Sequence, residues 1–453
     1  MSLRVLVLAG LIGLSGCSAA TLPPGLAANA SSGPAALEKS PGTGMTAGNY
    51  IKHVVLIIQE NRSFDNLFAG FPGAESQLSG YMHTGQLVNL QPLPFEQLYI
   101  DHYYEDARTD YDGGKMDGFD LNPSLHGPVG ALAYSYVQRS QVRPYWYFAK
   151  HYVLADHMFP TMMGPSFTAH LTLIAGTADL NPALSEVDVP KALPWGCDAP
   201  PGTTTDTLSS AGVETSAVSQ PPCFDQFNTM ADTLDAAHVT WKYYAPPLDV
   251  SGGATWTSFD AIQSVRYGPD WSTKIVVPST EIFKDVAKGR LPKVTWIIPD
   301  ALWSDHPDDG TPYGPSWVGD IVNAIGTSKL WKSTAIVVVW DDWGGWYDDL
   351  PPPQLDFRGL GLRVPCLIIS PYVRAHVSHT QYEFGSILHF MEDVFSLPSL
   401  GSVADGYTDA RAASLVDTFD FTIKPRPYQS VTTQYPASWF LQQQPSYKPV
   451  DDE

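Results

Sequence analysis

The chain has 453 residues, 44% of them hydrophobic and 12% aromatic, with a formal net charge of -21. That length holds one large domain with insertions, or two. The charge excludes a nucleic-acid binder, because contact with a polyanion rests on clustered basic side chains; an anionic substrate group would need a local positive centre, such as a metal ion.

The chain opens on a targeting pattern. Arg4 precedes a short apolar core, Val5 to Leu14, that is too short for a membrane span. It runs into Leu14-Ser15-Gly16-Cys17, which resembles the bacterial lipoprotein cleavage box, whose Cys carries lipid. The expectation is a signal peptide over 1–17 and an exported protein, lipid-anchored in the periplasm or at the cell surface. An ordinary cleaved signal is the alternative. Residues 18–48, rich in Ala, Gly, Ser, Pro and Thr, read as a flexible tether.

Val54–Ile58 is a Val- and Ile-rich run, the mark of a strand buried on both faces; it ends at Gln59-Glu60-Asn61. Residues 50–180 alternate strand and helix patterns. Residues 181–290 are rich in Pro, Thr, Ser and Gly and read as a loop-rich cap. They hold Cys197 and Cys223, expected to form one disulfide in an exported chain. Val294–Ile298 reads as a strand. A polar loop with Ser304-Asp305-His306-Pro307 follows, and then Trp317, Val318, Ile321, Val322 and Ile325 recur at helical spacing. The next strand, Ala335–Val339, runs through Trp340 into Asp341-Asp342, which completes a βαβ unit. A last strand, Val364–Ile369, buries Cys366 as a free thiol, and Ile387, Phe390, Met391 and Val394 mark a last core helix. The predicted catalytic domain spans 49–425, and 426–453 is an irregular tail.

Four patterns carry chemistry. Glu60 and Asn61 offer two hard oxygen donors, though such residues also cap helices. Gly164-Pro165-Ser166 precedes Leu171, Ile174 and Ala175 at helical spacing, which puts Ser166 at or near a helix N-terminus; a plain Ser cap has the same appearance. His306 can serve as acid or base, or as a surface residue. Asp341 and Asp342 repel each other unless a cation bridges them, and the following Gly344-Gly345 permits close backbone approach.

Together, Glu-Asn, Gly-Pro-Ser, His-Pro and Asp-Asp-x-Gly-Gly resemble the bacterial phosphoesterase family of acid phosphatases and non-specific phospholipases C, in the alkaline-phosphatase-like superfamily. The likeness runs from about residue 50 to about 398. It implies an α/β fold with a mostly parallel central sheet flanked by helices. It implies that Glu60, Asn61, Asp341 and Asp342 hold one divalent ion together with Ser166, the nucleophile. All-oxygen ligation suits Ca, Mg or Mn better than Zn. His306, His102 (upstream of the 113–119 GGKMDGF stretch) and His170 match positions that contact phosphate or donate a proton, and His379 matches a late His before the last core helix. Three departures stand out. Thr168-Ala169 replaces a common Pro-Asn before His170; Trp343 stands in the usual Asp-Glu-His-Gly-Gly; and Asp349 takes a common His position.

The resemblance implies hydrolysis of phosphate mono- or diesters through a phosphoserine, as in an acid phosphatase. A phospholipase C acting on phospholipid head groups is the second reading. A non-catalytic surface lipoprotein is a third, and retention of both acidic pairs and Ser166 opposes it. A sulfatase-like activity is a minor rival, and the 166–170 sequence does not fit it. Substrate, oligomeric state and metal identity stay open at this level.

Overall fold

Val54 to Ile58 have no exposed surface. Burying such aliphatic side chains stabilises the chain by roughly 1.5–3 kcal/mol each, and together they form the middle of a central sheet. The computed structural model describes residues 46–95, 99–218, 222–307 and 312–447. The expected signal peptide, Cys17 and nearly all of the tether lie outside the described residues, as does the end of the tail. Ala47–Asn49 already form a 3-10 turn, so the last residues of the expected tether belong to the ordered fold.

Nine strands build that sheet: β1 (His53–Gln59), β2 (Val153–Phe159), β3 (Trp241–Tyr244), β4 (Ile275–Val276), β5 (Val294–Ile297), β6 (Thr334–Trp340), β7 (Val364–Ile369), β8 (His376–Ser378) and β9 (Tyr382–Glu383). Their order is β4-β3-β5-β1-β6-β7-β2-β8, with β9 also on β2. β7 is antiparallel to both neighbours. Every other pairing is parallel. The α/β architecture, a mostly parallel sheet flanked by helices, is therefore the one expected.

The carboxyl ends of β1, β2, β5 and β6 share one edge. That follows from the pairing: β1 is parallel to β5 and β6, and two antiparallel steps carry β6 to β2. Chain order departs from spatial order here, because β1 sits between β5 and β6. Such switch points open the crevice in which α/β proteins place their sites. The helix between β5 and β6 (α2, Gly314–Gly326) buries Trp317, Val318, Ile321, Val322 and Ile325, the residues whose spacing marked it. Phe440 of the tail packs edge-on against Trp303, centroids 5.5 Å apart, and against Trp317 at 5.4 Å.

Residues 181–290 are more than loop. They contribute most of a four-stranded sheet, Asp179–Asn181, Leu184–Glu186, Thr205–Ser209 and Glu214–Val218. They also supply β3 and β4, which extend the central sheet beyond β5. Elements of two to five residues are too short for periodicity to register against a Pro- and Ser-rich background. Cys197 and Cys223 are bonded, and Cys366 is a buried free thiol whose ionisation burial pushes upward. Among the described residues no helix is long and apolar enough to cross a membrane.

Candidate active site

β1 ends at Gln59, and the chain turns at once. Glu60 donates its amide to Ser304 O at 2.8 Å, and Asp341 donates its own to Gln59 O at 3.0 Å, which laces the ends of β1 and β6 together. Asn61 then adopts a left-handed backbone, φ 54°, a conformation Asn tolerates better than most residues. Its amide donates to Asp341 Oδ1 at 2.9 Å. After β6, Gly344 and Gly345 also have positive φ. A Cβ on Gly344 would lie 2.4 Å from Asn61 O, and one on Gly345 would lie 2.4 Å from the Ile100 side chain. Only glycine lets the two acidic turns approach this closely.

Ser166 is the first residue of a helix (α1, Ser166–Ala175). Pro165 occupies the cap position and offers no side-chain bond, so the plain Ser-cap reading falls. Ser166 Oγ instead lies 3.3 Å from Asp342 Oδ2, 3.5 Å from Glu60 Oε2 and 3.4 Å from Asn61 Nδ2. Asn61 Nδ2 also lies 3.1 and 3.2 Å from the Asp342 oxygens. Segments nearly three hundred residues apart thus meet around one hydroxyl.

His170 is one helical turn beyond Ser166, on the same face. Its Nε2 is 3.0 Å from Glu60 Oε1 and 3.6 Å from Asp341 Oδ2. The family likeness put His170 against phosphate; here it stands against the carboxylates. Burial alone would raise the Asp341 carboxyl, but the His170 imidazole beside it outweighs burial and holds that carboxyl well below the usual range. His102 lies 2.7 Å from Ile100 O through Nδ1 and 2.8 Å from Asn61 Nδ2 through Nε2. The His306 ring lies 6.1 Å from that of His102 and stacks on Trp256 at 5.8 Å. All eight of these side chains are at most 1% exposed. His379, half-exposed between β8 and β9, bonds to Asp156 of β2 instead and stands apart from these groups.

Some supporting residues escaped the sequence. Arg62, buried, donates to Asp305 O, Asn66 Oδ1 and Phe95 O, and so fixes the His306 loop. Burial lowers its pKa to about 10. Asp305, with φ 80°, accepts from the Tyr145 hydroxyl at 2.6 Å and from Trp340 Nε1 at 3.1 Å. Burial pushes its carboxyl up to about 7, against those bonds and the Arg62 charge. Arg62 directly follows the Glu60-Asn61 pair and Asp305 sits in the Ser304–Pro307 motif, but nothing local says that the two segments touch.

The donor set suits a hard cation. Glu60, Asp341 and Asp342 bring three buried carboxylates to one place, and such charges are tolerated when a cation meets them. Asp341 Oδ2 and Asn61 Oδ1 lack hydrogen-bond partners. Glu60, His170 and Asp341 also form one of four His/carboxylate groups in the described residues with atoms close enough to share an ion.

Phospholipase C B of Mycobacterium tuberculosis (strain ATCC 25618 / H37Rv) is 25% identical over 456 residues, covering 86% of this chain and 82% of that protein. Non-hemolytic phospholipase C of Pseudomonas aeruginosa is 24% identical over 408 residues, 77% of this chain and 54% of that protein. Among solved structures, phosphonate monoester hydrolase of Agrobacterium radiobacter aligns at 10% identity and a TM-score of 0.37, covering 82% of this chain and 77% of that one. The model of the Phosphoesterase family matches residues 51–398, so the chain belongs to that family and is a phosphoric ester hydrolase.

Proposed function

We propose that the protein transfers a phosphoryl group from a phosphate ester to Ser166 and then to water, with one divalent ion held by Glu60, Asn61, Asp341, Asp342 and Ser166. The observation that carries this reading is the Ser166 hydroxyl within 3.5 Å of Glu60, Asn61 and Asp342 at the start of a helix. A bound ion would lower the pKa of that hydroxyl and neutralise charge on the phosphate. Its identity is open among Ca, Mg, Mn and Zn.

The chain's own groups supply the rest. The start of α1 presents first-turn amides and the positive end of the helix dipole toward developing negative charge. Ser166 Oγ attacks phosphorus, and the bond to the leaving alcohol breaks. His102 uses both ring nitrogens, on Ile100 and Asn61, and therefore acts as the residue that positions Asn61. Proton delivery to the leaving oxygen falls to His306, on the loop that Arg62 and Asp305 hold. Water then cleaves the phosphoserine and restores the hydroxyl. Ser166→Ala is expected to abolish turnover with the fold intact, and wild-type turnover in that variant would remove Ser166 from the scheme.

The named activity of the relatives favours phospholipid head-group diesters as substrate. Monoesters are the second reading, supported by the serine at the nucleophile position. Release from p-nitrophenylphosphorylcholine against p-nitrophenyl phosphate separates them. Export and anchoring through Cys17 would place the enzyme at a membrane surface, in the periplasm or outside the cell. Cys17→Ser should then free it from the membrane fraction, and an unchanged distribution would end that reading.

A further inference from the structure

β2 carries Asp156 and His157 side by side. In a regular strand, neighbours point to opposite faces. Here the register slips. Ala155 pairs with Cys366 and Met158 with Val364, so Asp156 and His157 together stand opposite Pro365 alone. That is a β-bulge, placed where proline has no amide hydrogen to give the ladder. The other edge of β2 breaks at the same level. Ser378 pairs with Ala155 and Tyr382 with Met158, leaving His379 in the gap beside the bulge. A strand interrupted on both sides at one level re-aims its side chains.

The result is a cluster outside the catalytic groups. Atoms of Asp156, His157 and His379 lie within 4.8 Å of one another. His379 Nδ1 is 2.9 and 3.0 Å from the two Asp156 oxygens. Glu75 joins from a distant segment: its amide donates to Asp156 Oδ2 at 2.8 Å, and its Oε2 is 3.0 Å from His157 Nε2. The Asp156 side chain is fully buried, whereas those of His157, His379 and Glu75 are 20%, 56% and 53% exposed. One carboxylate is thus fixed in the wall while three donors reach solvent. Arg363 Nη1 donates to the carbonyls of both Glu75 and Asp156, at 2.7 and 3.0 Å, and presets the two backbones.

Two imidazoles and two carboxylates form a mixed nitrogen and oxygen set. Ligands about 2.1 Å from a tetrahedral ion stand about 3.4 Å apart; the His379–Asp156 and His157–Glu75 pairs are already at 2.9–3.0 Å, and side-chain rotation of the exposed His157, His379 and Glu75 would bring the two pairs onto one ion. The catalytic cluster, rich in oxygen, suits a harder ion. We propose that Asp156, His157, His379 and Glu75 form a second metal site, for a borderline divalent cation of the Zn2+ class. It ties β8, β9 and the Glu75 segment to β2. Its role is structural, since none of its residues touches Ser166.

The test titrates the purified, metal-stripped full-length chain with ZnSO4 alone, by calorimetry and elemental mass spectrometry. Wild type should hold one more zinc than the His157→Ala/His379→Ala variant. His379→Ala alone should weaken that extra site at least about tenfold. Zinc should raise the Tm of wild type more than that of either variant. If the double variant does not fold, His379→Gln, at an exposed position, gives the same readout. Equal zinc content and equal affinity in wild type and the His379 variants would overturn the proposal, leaving two separate His–carboxylate pairs.

Discussion

Two acidic clusters grow from the same pair of segments and meet opposite fates. Glu60, Asp341 and Asp342 surround Ser166. Asp65, Asp348 and Asp349 gather five to seven residues further along each segment. In the second cluster Arg363 lies fully buried, with Nε 2.8 Å from Asp348 and Nη2 2.8 Å from Asp349 and 3.7 Å from Asp65. Its guanidinium also sits 4.4 Å from the Phe64 ring centre. In the first cluster the partner is the His170 imidazole. A guanidinium is a permanent countercharge with fixed forked geometry, so the second cluster is a girder. A single imidazole against three carboxylates leaves negative charge for an exchangeable ion to meet. Composition alone cannot separate the two; the neighbour decides.

The sharpest way to break that contrast is Asp342→Asn. It is expected to lower kcat by about 10³-fold or more and to lower bound metal by elemental analysis, with little change in the folded state. Unchanged turnover and metal content would make the first cluster structural as well. Arg363→Met should act in the opposite sense. It strands two buried carboxylates and the partly buried Asp349, and should cost about 3–5 kcal/mol in a denaturant titration, while the surviving folded molecules keep their turnover per site. Adding Asp348→Asn should restore part of that stability. The smallest effect concerns Asp305. Its carboxyl rises from 3.8 to about 7 on folding. The folded state therefore binds that proton more tightly, and stability present at low pH is lost as pH climbs from about 4 through about 7, by about 4 kcal/mol at most. Asp305→Asn cannot ionise, so its stability curve should be flatter across that window. A curve parallel to wild type would remove Asp305 from the account.

Much of this is legible in the amino-acid sequence. The Val- and Ile-rich runs marked β1, β5, β6 and β7, and the 3.6-residue spacing marked α2. The acidic pairs after β1 and β6 follow from strands that end at a common edge. What the chain did not display was contact between distant turns. Nothing near Tyr145 points to Asp305, and nothing near Arg363 points to Asp65. The bulge at Asp156-His157 needs the partner strand, since only Pro365 across the ladder creates it. β3 and β4 stayed hidden because four residues and two residues carry no readable period.

The four strand ends that form the catalytic edge draw on residues from 60 to 342. A chain still emerging from the ribosome with its first three hundred residues free holds the nucleophile but lacks one whole acidic pair. Such a chain should therefore be inert toward esters until the second pair is made. Turnover can begin only once β6 has inserted beside β1, so the appearance of activity is itself a clock for completion of the sheet.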